Sequence, residues 1–208
     1  MKERMIQGLP YKVNDDLLID LRNARRLTRL YNSTTEEETD HRKQILRELL
    51  GSMGENIMIE PTFRCDYGSN IHIGNNFYAN FDCIILDVCP VTIGENVMFG
   101  PRVCVYSPGH PIDAGVRADM LELAQPVTIG NRVWIGGSAV INGDVTIGDD
   151  TIIGSGSVVT KSIPSGVIAA GNPCRVIREI TDEDTKYWQE QKAEFELATN
   201  YREKSKLL

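Results

Sequence analysis

The sequence predicts an all-β core built as a solenoid of short strands, and three observations predict it. Ile129, Ile135, Ile141, Ile147, Ile153 and Val159 recur six residues apart without a break. A small or β-branched residue sits two places before each: Val127, Val133, Ala139, Val145, Thr151 and Ser157. Gly130, Gly136, Gly148 and Gly154 follow four of these aliphatics directly. A helical period of 3.6 or a long alternating strand gives no such pattern, whereas stacked hexapeptides do. Each hexad supplies one short strand, a glycine or polar residue turns the corner, and three hexads close a triangular coil. The repeated aliphatic then points inward and stacks on its equivalent eighteen residues on, one sheet spacing of about 4.8 Å above. A sandwich with regular turns spaces its strands 8–12 residues apart and does not fit.

The elements follow in order. Residues 1–54 read as a helical cap, with one apolar stripe through Leu17, Leu18, Leu21, Leu27, Leu30 and Tyr31 and another through Ile45, Leu46, Leu49 and Leu50. Gly51 and Gly54 stop the second helix, and Ser33, Thr34 or Thr35 is the expected N-cap ahead of Glu36–Glu38. The solenoid spans residues 55–180. Its first coils carry the beat as Ile73, Ala79 and Ile85 and then, shifted by two, as Ile93, Phe99 and Val105. Residues 106–125 break the hexad and are expected to protrude as a loop. Regular coils resume over 126–173 and end at Gly171-Asn172-Pro173. A tail over 181–208 begins Thr181-Asp-Glu-Asp, a start that suits a helix N-terminus. Open solenoid ends need covering, which gives both terminal segments a role as caps.

Composition narrows the function classes. The chain has 208 residues and a formal net charge of −7, which speaks against general nucleic-acid binding. No apolar run reaches the length of a membrane span, and Met1-Lys-Glu-Arg4 lacks the apolar stretch of a signal peptide. The reading is of a cytoplasmic protein. Its five cysteines show no C-x-x-C spacing, so neither a disulfide framework nor a zinc knuckle is expected. Cys65 and Cys83, eighteen apart, read as stacked, reduced core thiols.

The protruding loop is where chemistry is expected, because loops on a rigid scaffold carry functional groups. It reads Tyr106-Ser-Pro-Gly-His110-Pro-Ile112. Together with Phe63-Arg-Cys-Asp-Tyr-Gly-Ser-Asn70, Asn76-Phe-Tyr-Ala-Asn-Phe-Asp82, Trp134-Ile-Gly-Gly137 and Ala169-Ala-Gly-Asn-Pro-Cys-Arg-Val-Ile177, this loop resembles the maltose/galactoside O-acetyltransferases, which are hexapeptide-repeat acyltransferases. The resemblance implies a left-handed parallel β-helix, acetyl transfer from acetyl-CoA to a sugar hydroxyl in a ternary complex, and a homotrimer with sites between neighbouring subunits. It implies that His110 is the general base, a task suited to imidazole, with Asn80 beside it. The Gly137 N–H would meet the oxyanion and Trp134 would wall the acyl site. Asp15, Asp66, Tyr78 and Asp87 fall at or near acceptor-lining positions. Ser155 and Thr160 would face the pantetheine arm, and Lys161, Arg175 and Arg178 the phosphates. Relatives commonly carry Thr-Ala-Thr where this chain has Ser107-Pro108-Gly109.

Two other readings of the hexad stay open on sequence. A carbonic anhydrase on the same solenoid needs about three histidine ligands per zinc. Of the three histidines, His41 sits on the predicted N-terminal helix and cannot join His72 and His110, so no metal is expected. A non-catalytic scaffold has no need of the His110 loop together with Trp134 and a basic end.

Overall fold

A computed structural model describes residues 1–205, with side chains described through residue 199. Two compact units divide the chain, Met1–Ile177 and Arg178–Leu208. The first holds four helices, α1 (Lys2–Ile6), α2 (Asp15–Asn32), α3 (Thr39–Leu49) and α4 (Ala114–Ala118), and a solenoid of parallel strands. The second is mainly α5 (Asp182–Ser205).

Three faces make the prism. Face one stacks Ser52–Met53, Ile71–Ile73, Val91–Ile93, Val127–Ile129 and Val145–Ile147; face two runs from Met58–Ile59 through Tyr78–Ala79, Met98–Phe99, Trp134–Ile135 and Ile152–Ile153 to Val167–Ala170. Face three stacks Arg64–Cys65, Ile84–Leu86, Cys104–Tyr106, Val140–Asn142 and Val158–Val159. The hexad residues point inward as their period requires: Ile135, Ile141, Ile147, Ile153 and Val159 are fully buried, and so are Thr151 and Ser157. The two buried hydroxyls are satisfied by carbonyls, Thr151 by Pro164 O at 2.9 Å and Ser157 by Gly154 O at 2.6 Å, which is what lets polar side chains sit in the core.

Coil length changes along the prism. The last coils stack at eighteen residues, Ile129 on Ile147 and Ile135 on Ile153. The first coils stack at twenty, Ile73 on Ile93 and Ile85 on Val105. Cys65 therefore pairs with Ile85 rather than stacking on Cys83. Two extra residues at the corner after face three, within Asp66–Asn70 and again within Asp87–Pro90, account for the difference. All five cysteines are free thiols.

Glycines after the inward aliphatics serve close approach rather than the turn itself. A Cβ on Gly136 would lie 2.5 Å from Ser155 N on the next coil. The left-handed corner residue comes two places later, as at Arg132, Ser138 and Asp150. The corner between faces one and two is further tied by a ladder in which Asn56 Nδ2 donates to Asn76 Oδ1 at 2.9 Å and Asn76 Nδ2 to Asn96 Oδ1 at 3.1 Å.

Helices α2 and α3 close the first coil. Asn14 caps α2, its Oδ1 accepting from Leu17 N at 3.3 Å. The buried stripe of α2 is Leu17, Ala24, Leu27, Thr28 and Tyr31, while Leu18 and Leu30 face outward. Ala24, Leu27, Tyr31, Ile45, Leu46 and Leu49 join one apolar core with Ile59, Phe63 and the prism interior. Tyr31 Oη donates to Ile59 O. Asn32 clasps the first coil from both sides, donating to Phe63 O at 2.9 Å and accepting from Phe63 N at 2.8 Å. The N-cap of α3 is Glu38 and not Ser33, Thr34 or Thr35. Ser33 ends α2, and the Thr35 N–H and hydroxyl both donate to Glu38 Oε2.

The second unit starts as its sequence suggests. Asp184 N donates to Thr181 Oγ1 at 3.3 Å and Thr181 N to Asp184 Oδ2 at 2.9 Å, a reciprocal cap. Tyr187, Trp188, Phe195 and Leu197 of α5 are exposed.

Candidate active site

Residues 106–125 leave the prism at the corner after face three and return to it as a closed hairpin. Pro108 pairs with Ala124 and Gly109 with Leu123, and Gln125 N donates to Ser107 O at 2.9 Å. Ser107 anchors the base: it is buried, its hydroxyl donates to Leu86 O at 2.8 Å and accepts from Cys89 N at 2.9 Å. The N-terminal strap clamps the same base. Tyr11 pairs with Glu122 as an antiparallel bridge, and its hydroxyl donates to Glu122 Oε2 at 2.6 Å. Burial, reinforced by that carboxylate, pushes the Tyr11 phenol far above its ordinary value. Met5, Tyr11, Leu17, Tyr67, Val88, Cys89 and Ala124 form a second apolar core beneath the hairpin. On this base His110 stands exposed at the start of the hairpin tip.

Asp66 and Asp87 lie at the same corner but in different surroundings. Asp87 has no solvent exposure, and its carboxylate accepts from the backbone N–H groups of Asp66, Tyr67 and Asn70 at 3.1, 2.9 and 3.2 Å. It braces the corner instead of lining an open acceptor site, because its oxygens are occupied by backbone donors. Asp66 is half-buried in a cleft of about 400 Å³ with Arg25, Thr28, Arg64, Ile84, Leu86 and Tyr106. Burial first, then the Asp87 charge, raises the Asp66 carboxyl to about 6, while Arg25 pulls it the other way. Thr160 and Lys161 are exposed at this corner too, directly after the strand Val158–Val159.

The corner between faces two and three gathers a different set. Asn80 N donates to Phe99 O, Gly100 N to Ile135 O and Gly136 N to Ile153 O, which places Asn80, Gly100, Gly136–Gly137 and Ser155 on successive coils of one edge. A Cβ on Gly100 would come within 2.5 Å of Gly137 N. Asn80 Oδ1 accepts from Phe81 N at 2.7 Å, so the residue turns its own corner. Among the described residues the Gly137 N–H makes no hydrogen bond. Tyr78 and Trp134 stand on the adjoining outer face, each in register with Met98, and Trp134 keeps 49% of its surface exposed.

Within one chain, then, His110 belongs to one corner of the prism and Asn80, Gly137 and Ser155 to another. Asp15 is exposed at the start of α2. Arg175 is exposed and donates to Cys174 O at 2.7 Å. The guanidinium of Arg178 pairs with Asp184, Nη2 to Oδ1 at 2.9 Å. His41 lies on α3, and His72 on face one meets Ser52 Oγ through Nδ1 at 2.9 Å. No three His, Cys, Asp or Glu side chains converge as a metal site among the described residues. Neither the Tyr11–Glu122 pair nor the approach of Arg25 to Asp66 has a sequence signal, since only the fold joins them.

The maltose acetyltransferase hexapeptide capping motif matches residues 4–54, the bacterial transferase hexapeptide (six repeats) residues 126–161, and the hexapeptide repeat of succinyl-transferase residues 90–116. The galactoside O-acetyltransferase of Escherichia coli K12 is 47% identical over 186 residues, covering 88% of this chain and 87% of that protein. The crystal structure of a maltose O-acetyltransferase from Clostridium difficile 630 superposes with a TM-score of 0.86 at 50% identity, covering 87% of this chain and 97% of the other. A galactoside acetyltransferase in complex with coenzyme A superposes with a TM-score of 0.86 at 45% identity, covering 89% and 93%. The chain belongs to the maltose/galactoside O-acetyltransferase family of hexapeptide-repeat proteins.

Proposed function

We propose that this protein transfers the acetyl group of acetyl-CoA to a hydroxyl of a sugar or glycoside, as a homotrimer, with His110 as the general base. The observation that carries the reading is the placement of an exposed histidine on a braced hairpin at one prism corner, with an unengaged backbone donor at another. A sugar hydroxyl is too weak an acid to attack a thioester unaided at neutral pH. His110 takes its proton as the oxygen bonds to the thioester carbonyl carbon. The Gly137 N–H, without a hydrogen bond among the described residues, suits the oxyanion that forms. As the intermediate collapses, the C–S bond breaks and the sulfur takes the proton back from the imidazolium. Asn80 keeps its side-chain NH₂ for His110 or the substrate, since only its oxygen serves the corner. Tyr78, Asp66 and Asp15 would line the acceptor, and Trp134, Ser155, Thr160, Lys161 and Arg175 the cofactor.

The corner separation supports the trimer. If three prisms pack side by side, the His110 corner of one copy meets the Asn80–Gly137 corner of the next, and one ternary complex forms at each contact. Face two offers a surface for this, with Met58, Tyr78, Met98, Trp134 and Ile152 stacked outward in register. Face one is polar by contrast, with Ser52, His72, Thr92, Thr128 and Thr146 outward. Five free thiols accord with a reducing, cytoplasmic setting, and no described helix is long and apolar enough to cross a membrane.

Thiol release from acetyl-CoA against a panel of sugars and glycosides tests the reaction. His110→Ala should lower turnover by about 10²–10⁴-fold, the usual range for losing a general base, with coenzyme A affinity unchanged. Retention of more than about a tenth of wild-type turnover would remove His110 from the mechanism. A monomeric mass by light scattering, with activity intact, would remove the trimer.

A further inference from the structure

We infer that Arg117 is a positioning residue for His110, holding the backbone that aims the imidazole. Among the described residues no side chain hydrogen-bonds the His110 ring. Within the chain its direction is therefore set by the backbone on either side. The residues before it are fixed by the hairpin pairs Pro108–Ala124 and Gly109–Leu123. The residues after it have no such ladder. There Arg117, from the last turn of α4, reaches back so that Nη1 donates to Pro111 O at 2.8 Å and Ile112 O at 3.1 Å. One cationic nitrogen thus gathers two consecutive carbonyls immediately beyond His110, and such charge-assisted bonds are stronger than neutral ones. Asp113 completes the loop by capping α4, its Oδ1 accepting from Val116 N at 2.8 Å. That cap fixes α4, and α4 fixes the origin of Arg117. Ile112 is 99% exposed, so its own side chain does nothing to hold this segment in place of the guanidinium.

This inference rests on His110 acting as base, and its test separates the two. Arg117→Ala should lower kcat by about 10–100-fold, the scale of a misaimed catalytic group, while KM for acetyl-CoA stays near wild type. Arg117→Lys keeps a cation within reach of both carbonyls and should recover part of the loss. In a His110→Ala background, Arg117→Ala should cost no more than about twofold further, because residues acting as a unit are non-additive. Thermal unfolding of each variant separates misfolding from misaiming, and Arg117→Gln replaces Arg117→Ala if the latter does not fold. A kcat within about twofold of wild type for Arg117→Ala, or an undiminished cost in the His110→Ala background, overturns the inference. Retained turnover in His110→Ala alone overturns the base assignment instead.

Discussion

Asp87 accepts the backbone N–H of Tyr67 at 2.9 Å from a position with no solvent exposure. The same carboxylate takes the N–H groups of Asp66 and Asn70, and the Asn70 amide returns a bond to Asp87 O at 2.7 Å. This brace shapes the widened corner from which the hairpin departs. Burial raises the Asp87 carboxyl pKa, and the backbone donors pull against it without cancelling it.

Asp87→Ala leaves those three backbone donors without their acceptor. Each unsatisfied buried group costs about 1–3 kcal/mol, so the variant should lose about 3 kcal/mol or more in urea unfolding. A loss below about 1 kcal/mol would mean that water or a neighbouring group replaces the carboxylate.

Asp66 gives stability a pH dependence of known sign. Its folded pKa of about 6 lies above the ordinary carboxyl value, so the fold favours the protonated form. The stabilisation from that proton is complete below the unfolded value and is lost as pH rises through about 6. Asp66→Asn has no charge to bury. Its melting temperature should therefore gain on wild type between pH 4 and pH 8. A difference that stays constant across that range would show that Asp66 does not titrate where its burial puts it.

Glycine substitutions separate a crowded corner from an open loop. Gly100→Ala places its Cβ 2.5 Å from Gly137 N, against the backbone of the next coil. Overpacking of this kind costs about 1–3 kcal/mol. A Cβ on Gly109 meets nothing within 4 Å and its φ is ordinary, so Gly109→Ala should stay within about 0.5 kcal/mol of wild type. Equal melting temperatures for the two variants would refute the stacking of Gly100 on Gly137.

Lys161 is exposed, with no salt bridge among the described residues. If it meets a phosphate of the cofactor, Lys161→Ala should raise KM for acetyl-CoA with kcat at saturation near normal, because such a contact serves ground and transition states alike. The difference should shrink as salt screens the pair. A fall in kcat at unchanged KM would assign Lys161 to another task.

What the sequence made legible was the repeat. Ile129 to Val159 carried their own register, since one inward position every six residues leaves no other way to close a coil. The twenty-residue stacking of the first coils was visible only as the two-residue shift between Ile85 and Ile93. Cys65 and Cys83 mask it, because they match the eighteen-residue rule by coincidence while Cys65 pairs with Ile85. Candidate site residues were readable one at a time, through motif and resemblance, but their grouping was not. Motif and resemblance put Asp87 at or near an acceptor-lining position, but they carry no sign that it is buried with three backbone donors on its carboxylate. The pairing of Arg178 with Asp184, six residues on, has no mark in the sequence beyond opposite charge. Tyr11 and Glu122 are 111 residues apart, and no local pattern announces a hydroxyl reaching across that span.

The edge between faces two and three is also a ruler. Asn80, Gly100, Gly137 and Ser155 stand on four successive coils, and at about 4.8 Å per coil they mark out a straight line of about 14 Å. Each rung is fixed by parallel pairing above and below it, so the spacing cannot adapt to a ligand of another length. If the acyl donor lies along this edge, as proposed above, it is measured as well as gripped. One with its arm shortened by a single rung would then reach one end of its site or the other, but not both at once. Discrimination by length then belongs to the pitch of the solenoid and persists whichever side chains decorate it.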